Sequence, residues 1–211
     1  MSVLREHFRP SKEEIWRKLC GLVGGVVIQN QDLGSTKLEV HHKQWTITLD
    51  TFTELIGENE ETYTRLRAPF VNNDGFRFTI YRKGFFSLFR KLLGMKNVLI
   101  GDPVFDDAFV IDGNNELILR ELFSDLNIRH RIEQQPKIYL SVWHDEGWFQ
   151  PQFPEGVDEL YLRVPGIVSD IEQLKSLYEL FAEVLIHLCQ IGSAYQKHDV
   201  IDSKSTTMSD S

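Results

Sequence analysis

Cysteine is scarce in this chain: two residues among 211, Cys20 and Cys189. They stand far apart in apolar helical contexts, so buried reduced thiols are expected rather than a disulfide or a reactive thiol. Basic residues are also short. Lys+Arg 23 against Asp+Glu 31 leaves a net charge of −8, which argues against general nucleic-acid binding, since that needs a basic face. A local basic patch stays open. No apolar run has the length of a membrane-spanning helix. Residues 1–10 are charged and poor in apolar side chains, unlike a signal peptide. The expectation is a cytoplasmic protein. Missing too are G-x-S-x-G, a phosphate-binding glycine loop, CxxC and HExxH. Gly24-Gly25 reads as a helix stop rather than a nucleotide fingerprint, and no cofactor is expected.

What is present centres on residues 97–113, N-V-L-I-G-D-P-V-F-D-D-A-F-V-I-D-G. Asp102 before Pro103 suits an N-cap followed by proline in the first helical position, where its missing N–H costs nothing. One helical turn then carries Phe105 inward. Ala108-Phe109-Val110-Ile111 reads as a short strand stopped by Asp112-Gly113-Asn114-Asn115.

Around this junction the chain alternates between helix and strand signals. Ser11-Lys12-Glu13-Glu14 is a capping box, and Ile15, Leu19 and Leu22 recur at helical spacing beside Trp16 until Gly24-Gly25. Val26-Val27-Ile28-Gln29 is β-branched, and Leu38 and Val40 alternate with Lys37, Glu39 and His41. Trp45, Ile47 and Leu49 alternate with Thr46, Thr48 and Asp50, the pattern of a half-buried antiparallel strand. The acidic stretch 57–61 reads as a solvated turn. Residues 62–70 and 75–82 read as a hairpin around Asn72-Asn73-Asp74-Gly75, completing about five strands in a meander. Residues 115–123 form an amphipathic helix that includes Leu117, and 128–132 extend it or make a second. Strands follow at 138–143, 148–153 and 159–164. Ser169 or Asp170 caps the longest helix, which at 1.5 Å per residue reaches roughly 40 Å if it runs to Gln196.

These elements define an α+β fold: an antiparallel sheet of about eight strands covered by an N-terminal helix, a middle helix and a long C-terminal helix. Residues 1–196 are expected to form one domain, with two halves meeting near 97–113 as the alternative. The Ser/Thr-rich residues 197–211 are expected to be disordered.

The segment G-D-P-V-F-D-D-A-F-V-I follows F-R-F-T-I-Y-R and precedes a helix-like stretch from Leu117 to Phe123. It resembles bacterial domain families of unknown function that carry GD-x-x-FD-x-x-F-x-[VI] after an extended segment ending in a basic residue. The resemblance covers residues 16–132. It implies a bacterial α+β domain and assigns no catalytic residue.

Two groups of side chains could carry function. From Arg82 to Lys96 there is no acidic residue, and Phe85, Phe86 and Phe89 lie among Arg82, Lys83, Arg90, Lys91 and Lys96. This segment reads as core with snorkelling cations, as an anionic-membrane contact, or as a contact to a protein or RNA partner. Asp102, Asp106 and Asp107 form an acid cluster that could serve a metal-assisted hydrolase. Capping by Asp102 and exposure of another acid account for two of the three, and the alternate spacing of oxygen-rich cation loops is absent. His41 and His42 point to opposite faces of a strand, and His144-Asp145-Glu146 falls in a turn. The function expected from all this is a non-enzymatic interaction module with a protein partner.

Overall fold

The computed structural model describes residues 11–30, 35–84, 96–144 and 153–195, with side chains at all but positions 30, 35, 96 and 195. Residues 85–95, the expected strand at 148–153 apart from its last residue, and the polar stretch from 197 onward lie outside that description.

The first helix, α1 (Lys12–Val23), starts on its capping box: the Ser11 hydroxyl accepts the Glu14 N–H at 3.2 Å, and the Glu14 carboxylate accepts the Ser11 N–H at 2.9 Å. Gly24 at φ 75° ends it. Ile15, Trp16 and Leu19 are buried, but Leu22, on the last turn, is exposed. Four antiparallel strands then run as a meander: β1 (Gly25–Asn30), β2 (Ser35–His42), β3 (Trp45–Ile56) and β4 (Asn59–Asn72). The β3–β4 ladder continues to Ile56↔Asn59, so the acidic stretch shrinks to a Gly57-Glu58 turn and Glu60 and Glu61 lie in the strand.

After β4 the chain leaves the meander. It passes through β5 (Phe78–Arg82), β6 (Lys96–Asn97), α2 (Pro103–Ala108) and β7 (Phe109–Gly113). Two short helices follow, α3 (Glu116–Leu122) and α4 (Leu126–Glu133), so the middle helical segment is split in two. The last elements are β8 (Tyr139–Trp143), β9 (Val157–Pro165), α5 (Ile171–Gln190) and β10 (Ala194–Tyr195). All the named strands join one sheet in the order β1-β2-β3-β4-β9-β8-β5-β7-β6, with β10 on β4 and every strand pairing antiparallel. Only β6 and β10 are as short as two residues; the other eight strands have five or more. The α+β class and the long C-terminal helix are therefore as the sequence led us to expect.

The expected β4–β5 hairpin does not form, because β9 and β8 lie between the two strands. Asp74-Gly75 does turn the chain: Gly75 sits at φ 66° and the Asp74 carboxylate accepts the Phe76 N–H at 2.9 Å. A turn reverses direction without choosing a partner, however, and β4 finds an eight-residue ladder with β9, from Thr64↔Val164 to Val71↔Val157. That ladder aligns Leu66 with Leu162 and Ala68 with Leu160 in the core.

The long helix α5 spans 20 residues, about 30 Å rather than 40 Å. Gly192 at φ 85° stops it in a Schellman motif, the Ser193 N–H bonding to Leu188 O at 2.9 Å and the Gly192 N–H to Cys189 O at 3.1 Å. Each of the five helices among the described residues buries apolar side chains in the main core, on one face of the sheet. A second buried cluster, Tyr63, Tyr81, Val110, Tyr139 and Tyr161, contains no helical residue.

Candidate functional site

The central junction forms as its residues dictate. Asp102 caps α2, its Oδ1 accepting the N–H groups of Val104 and Phe105 at 3.1 and 3.2 Å. Its Oδ2 takes Arg129 Nη1 from α4 at 2.5 Å. Asp106 accepts the N–H groups of Ile100 and Gly101 at 2.9 and 3.0 Å, tying the incoming loop to the helix it precedes. Asp107 is 94% exposed and lies 3.9 Å from Lys83 Nζ. The acid cluster thus divides into two carboxylates that hold backbone and one that faces water. Among the described residues no group of three or more His, Cys, Asp or Glu side chains could hold a metal ion.

The Asp102–Arg129 pair separates two clefts. One, of about 500 Å³, is lined by Gly101, Asp102, Arg120, Phe123, Ser124 and Arg129 among others. The other, of about 380 Å³, is lined by Asp102, Leu126, Asn127, Arg129, His130 and Glu133. Both volumes fall in the range of small-ligand or side-chain pockets. Among the described residues, four of the eight exposed large apolar side chains belong to the elements around these clefts: Leu126 lines the second cleft, Leu99 and Val104 are next in sequence to Ile100 and Pro103 of the first, and Leu117 lies on α3, which supplies Arg120. Leu117, expected on the buried face of its helix, is the most exposed of them.

Of the basic–aromatic segment, Phe85, Phe86, Phe89, Arg90 and Lys91 lie outside the described residues, and Lys96 is described only as backbone in β6. Arg82 and Lys83 are placed. The Arg82 guanidinium donates to the carbonyls of Glu133 and Gln135 at 2.7 and 3.2 Å, at the end of α4, and lies 4.6 Å from the centre of the Phe109 ring. Lys83 donates to Asp106 O at 3.0 Å. Both cations are held by the junction itself.

The histidines separate by face, as strand geometry requires. His41 bonds to Thr46 Oγ1 at 3.1 Å on the exposed side, while His42 meets the Tyr178 hydroxyl of α5 at 3.0 Å. Burial, and secondarily the Lys43 charge, holds the His42 pKa below its ordinary value. His144 does not merely decorate a turn: its Nδ1 lies 2.8 Å from Oδ1 of the buried Asp158.

Sequence reasoning missed the second face of the sheet, which carries no helix among the described residues. Arg163 of β9 is only 2% exposed, donates to Glu54 at 2.9 Å, and lies over the Tyr63 and Tyr139 rings at 4.6 and 5.2 Å. Beside it, Asp50 takes Arg65 Nη2 at 3.0 Å and Arg67 Nη2 at 2.7 Å. Trp143 stacks on Tyr161 at 4.5 Å. Burial pushes the Glu159 carboxyl up to about 7, with Arg67 and Arg65 opposing the rise and Asp50 adding to it. Burial and a hydrogen bond to Glu61 push the Tyr63 phenol up as well. The one available signal was alternation in 159–163: Glu159, Tyr161 and Arg163 share a face opposite Leu160 and Leu162.

Comparison with protein-family models, with curated proteins and with solved structures gives no match for this chain. Among the described residues no helix is long and apolar enough to cross a membrane.

Proposed function

We propose that this chain is a non-enzymatic interaction module of a bacterial cytoplasmic protein, and that it binds a protein partner at the clefts flanking Asp102 and Arg129. The observation that carries the reading is the apolar rim. Leu126 lines one arginine-containing cleft, Leu99 and Val104 are next in sequence to Ile100 and Pro103 of the other, Leu117 lies on α3, which supplies Arg120, and all four are more than half exposed. Exposed apolar side chains grouped around arginines are the composition of an interaction surface. Scattered leucines would need no such account. The rival, a metal-assisted hydrolase at Asp102, Asp106 and Asp107, would need carboxylates free to ligate. Asp102 and Asp106 already accept backbone N–H groups and, at Asp102, a guanidinium.

The test is proximity capture with the intact chain, followed by titration of the purified partner. Val104→Ser with Leu126→Ser should weaken that binding at least tenfold with the melting temperature unchanged, while Leu55→Ser, at the far end of β3, should not. Equal binding by the rim variant would remove the clefts from the interface. Stoichiometric Mn, Zn or Mg in the purified protein would favour the hydrolase.

A further inference from the structure

The ends of four neighbouring strands meet at Asp158, and we propose that the Arg77 and His144 side chains it holds form a phosphate-binding site. Asn72 is the last residue of β4, Asp158 the second of β9, His144 follows β8 and Arg77 precedes β5; these strands are adjacent in the order β4-β9-β8-β5. Asp158 is 2% exposed and accepts from all three: Asn72 Nδ2 at 2.6 Å, His144 Nδ1 at 2.8 Å and Arg77 Nε at 3.4 Å. A buried carboxylate with three donors is a fixed orienting group, not a surface ion pair.

Its effect on the two outer side chains is specific. Donation from Nδ1 to the carboxylate leaves His144 Nε2 as the free ring nitrogen, on a side chain 41% exposed. Arg77 spends Nε on Asp158 and keeps its terminal nitrogens on a side chain 31% exposed. Its backbone is pinned as well, the N–H donating to Asn114 Oδ1 at 2.9 Å and the carbonyl accepting the Asn114 N–H at 3.1 Å. Such a supporting shell holds a recognition group in place. Asn72 completes the shell around Asp158. Its Nδ2 is committed to Asp158 and to Phe76 O at 2.9 Å, which fixes the amide orientation, and among the described residues no group donates to its buried Oδ1. The nearby Asp74 carboxylate is occupied by the Phe76 N–H and the Ser193 hydroxyl at 2.6 Å.

A guanidinium and an imidazole nitrogen held on one carboxylate suit an oxyanion that carries both acceptor oxygens and an O–H in tetrahedral array. Monobasic phosphate takes terminal N–H groups from Arg77 and donates its own O–H to the Nε2 lone pair of His144, while Asp158 accepts Nδ1–H.

Nitrogen-correlated NMR of the full chain tests this, with inorganic phosphate as probe and His144→Asn assigning the ring among the seven histidines. Phosphate should shift the His144 ring nitrogen signals saturably. Arg77→Ala should weaken the response about tenfold, the loss of one charged hydrogen bond. Glycerol phosphate responding more tightly than inorganic phosphate assigns the site to a phosphomonoester, and the reverse assigns it to free phosphate. A response reproduced by sodium chloride at equal ionic strength, or unchanged in Arg77→Ala with the fold intact, overturns the proposal.

Discussion

Phe105 and Phe109 stack at 4.6 Å between ring centres across the boundary where α2 becomes β7. Four residues separate them, one helical turn, yet one ring belongs to a helix and the other to a strand. Phe123 of the α3–α4 turn closes on Phe105 at 6.2 Å. All three rings are buried. The stack is what fixes the angle between the motif helix and the sheet.

Replacing Phe105 or Phe109 with Ala should therefore cost about 3–5 kcal/mol, the usual loss for a buried phenylalanine, out of the roughly 5–15 kcal/mol a domain possesses. Urea unfolding followed by fluorescence measures it. A midpoint within error of the parent would show that the junction does not depend on the stack.

Glu159 makes stability depend on pH in an unusual direction. Its carboxyl titrates at about 7 in the folded chain against 4.5 as its ordinary value. Between those values the folded state keeps a proton the unfolded state has released, so stability falls as pH rises through that window and levels off above it. The shift corresponds to about 3 kcal/mol at most. Glu159→Gln should leave stability at pH 4.5 nearly unchanged and raise it at pH 7.5 by on the order of 1–3 kcal/mol. Parallel curves for the two proteins from pH 4.5 to 7.5 would show that Glu159 ionises freely.

Arg82 separates a structural from a membrane role for the segment it begins. Its bonds to the carbonyls of Glu133 and Gln135 and its place over Phe109 should make Arg82→Ala cost about 1–3 kcal/mol. Cosedimentation with anionic vesicles should be the same for both proteins. Unchanged melting together with reduced pelleting would return Arg82 to a membrane surface.

What the sequence made legible was local. The Ser11 capping box, the Asp102-Pro103 helix start and the alternation of Trp45, Ile47 and Leu49 each depend on residues a few positions apart, and each has its expected form. The burial of Phe105 and Phe109 follows from the same short pattern. Pairing was not legible, because Asp74-Gly75 specifies a reversal while the partner of β4 comes from β9. The polar groups behind the sheet were hidden for a related reason. Arg163 looks like any exposed arginine in a strand until Glu54, Tyr63 and Tyr139 are brought around it from three other strands. His144 and Asp158 lie 14 residues apart, and only the β8–β9 register sets their side chains together.

The β4–β9 ladder also constrains how the chain is made. Leu66 leaves the ribosome well before its partner Leu162, and at about 5–20 residues per second that gap of roughly a hundred residues lasts on the order of 5–20 s. Until then one edge of β4 has its nearest sequence neighbours but not its native one, and its core face, with Leu66, Ala68 and Phe70, is uncovered. A newly made strand can pair wrongly in far less time, since hairpins form in microseconds. The nascent chain is thus a natural client for a holdase acting during translation. Slowing elongation between β5 and β9 should increase its aggregation rather than relieve it.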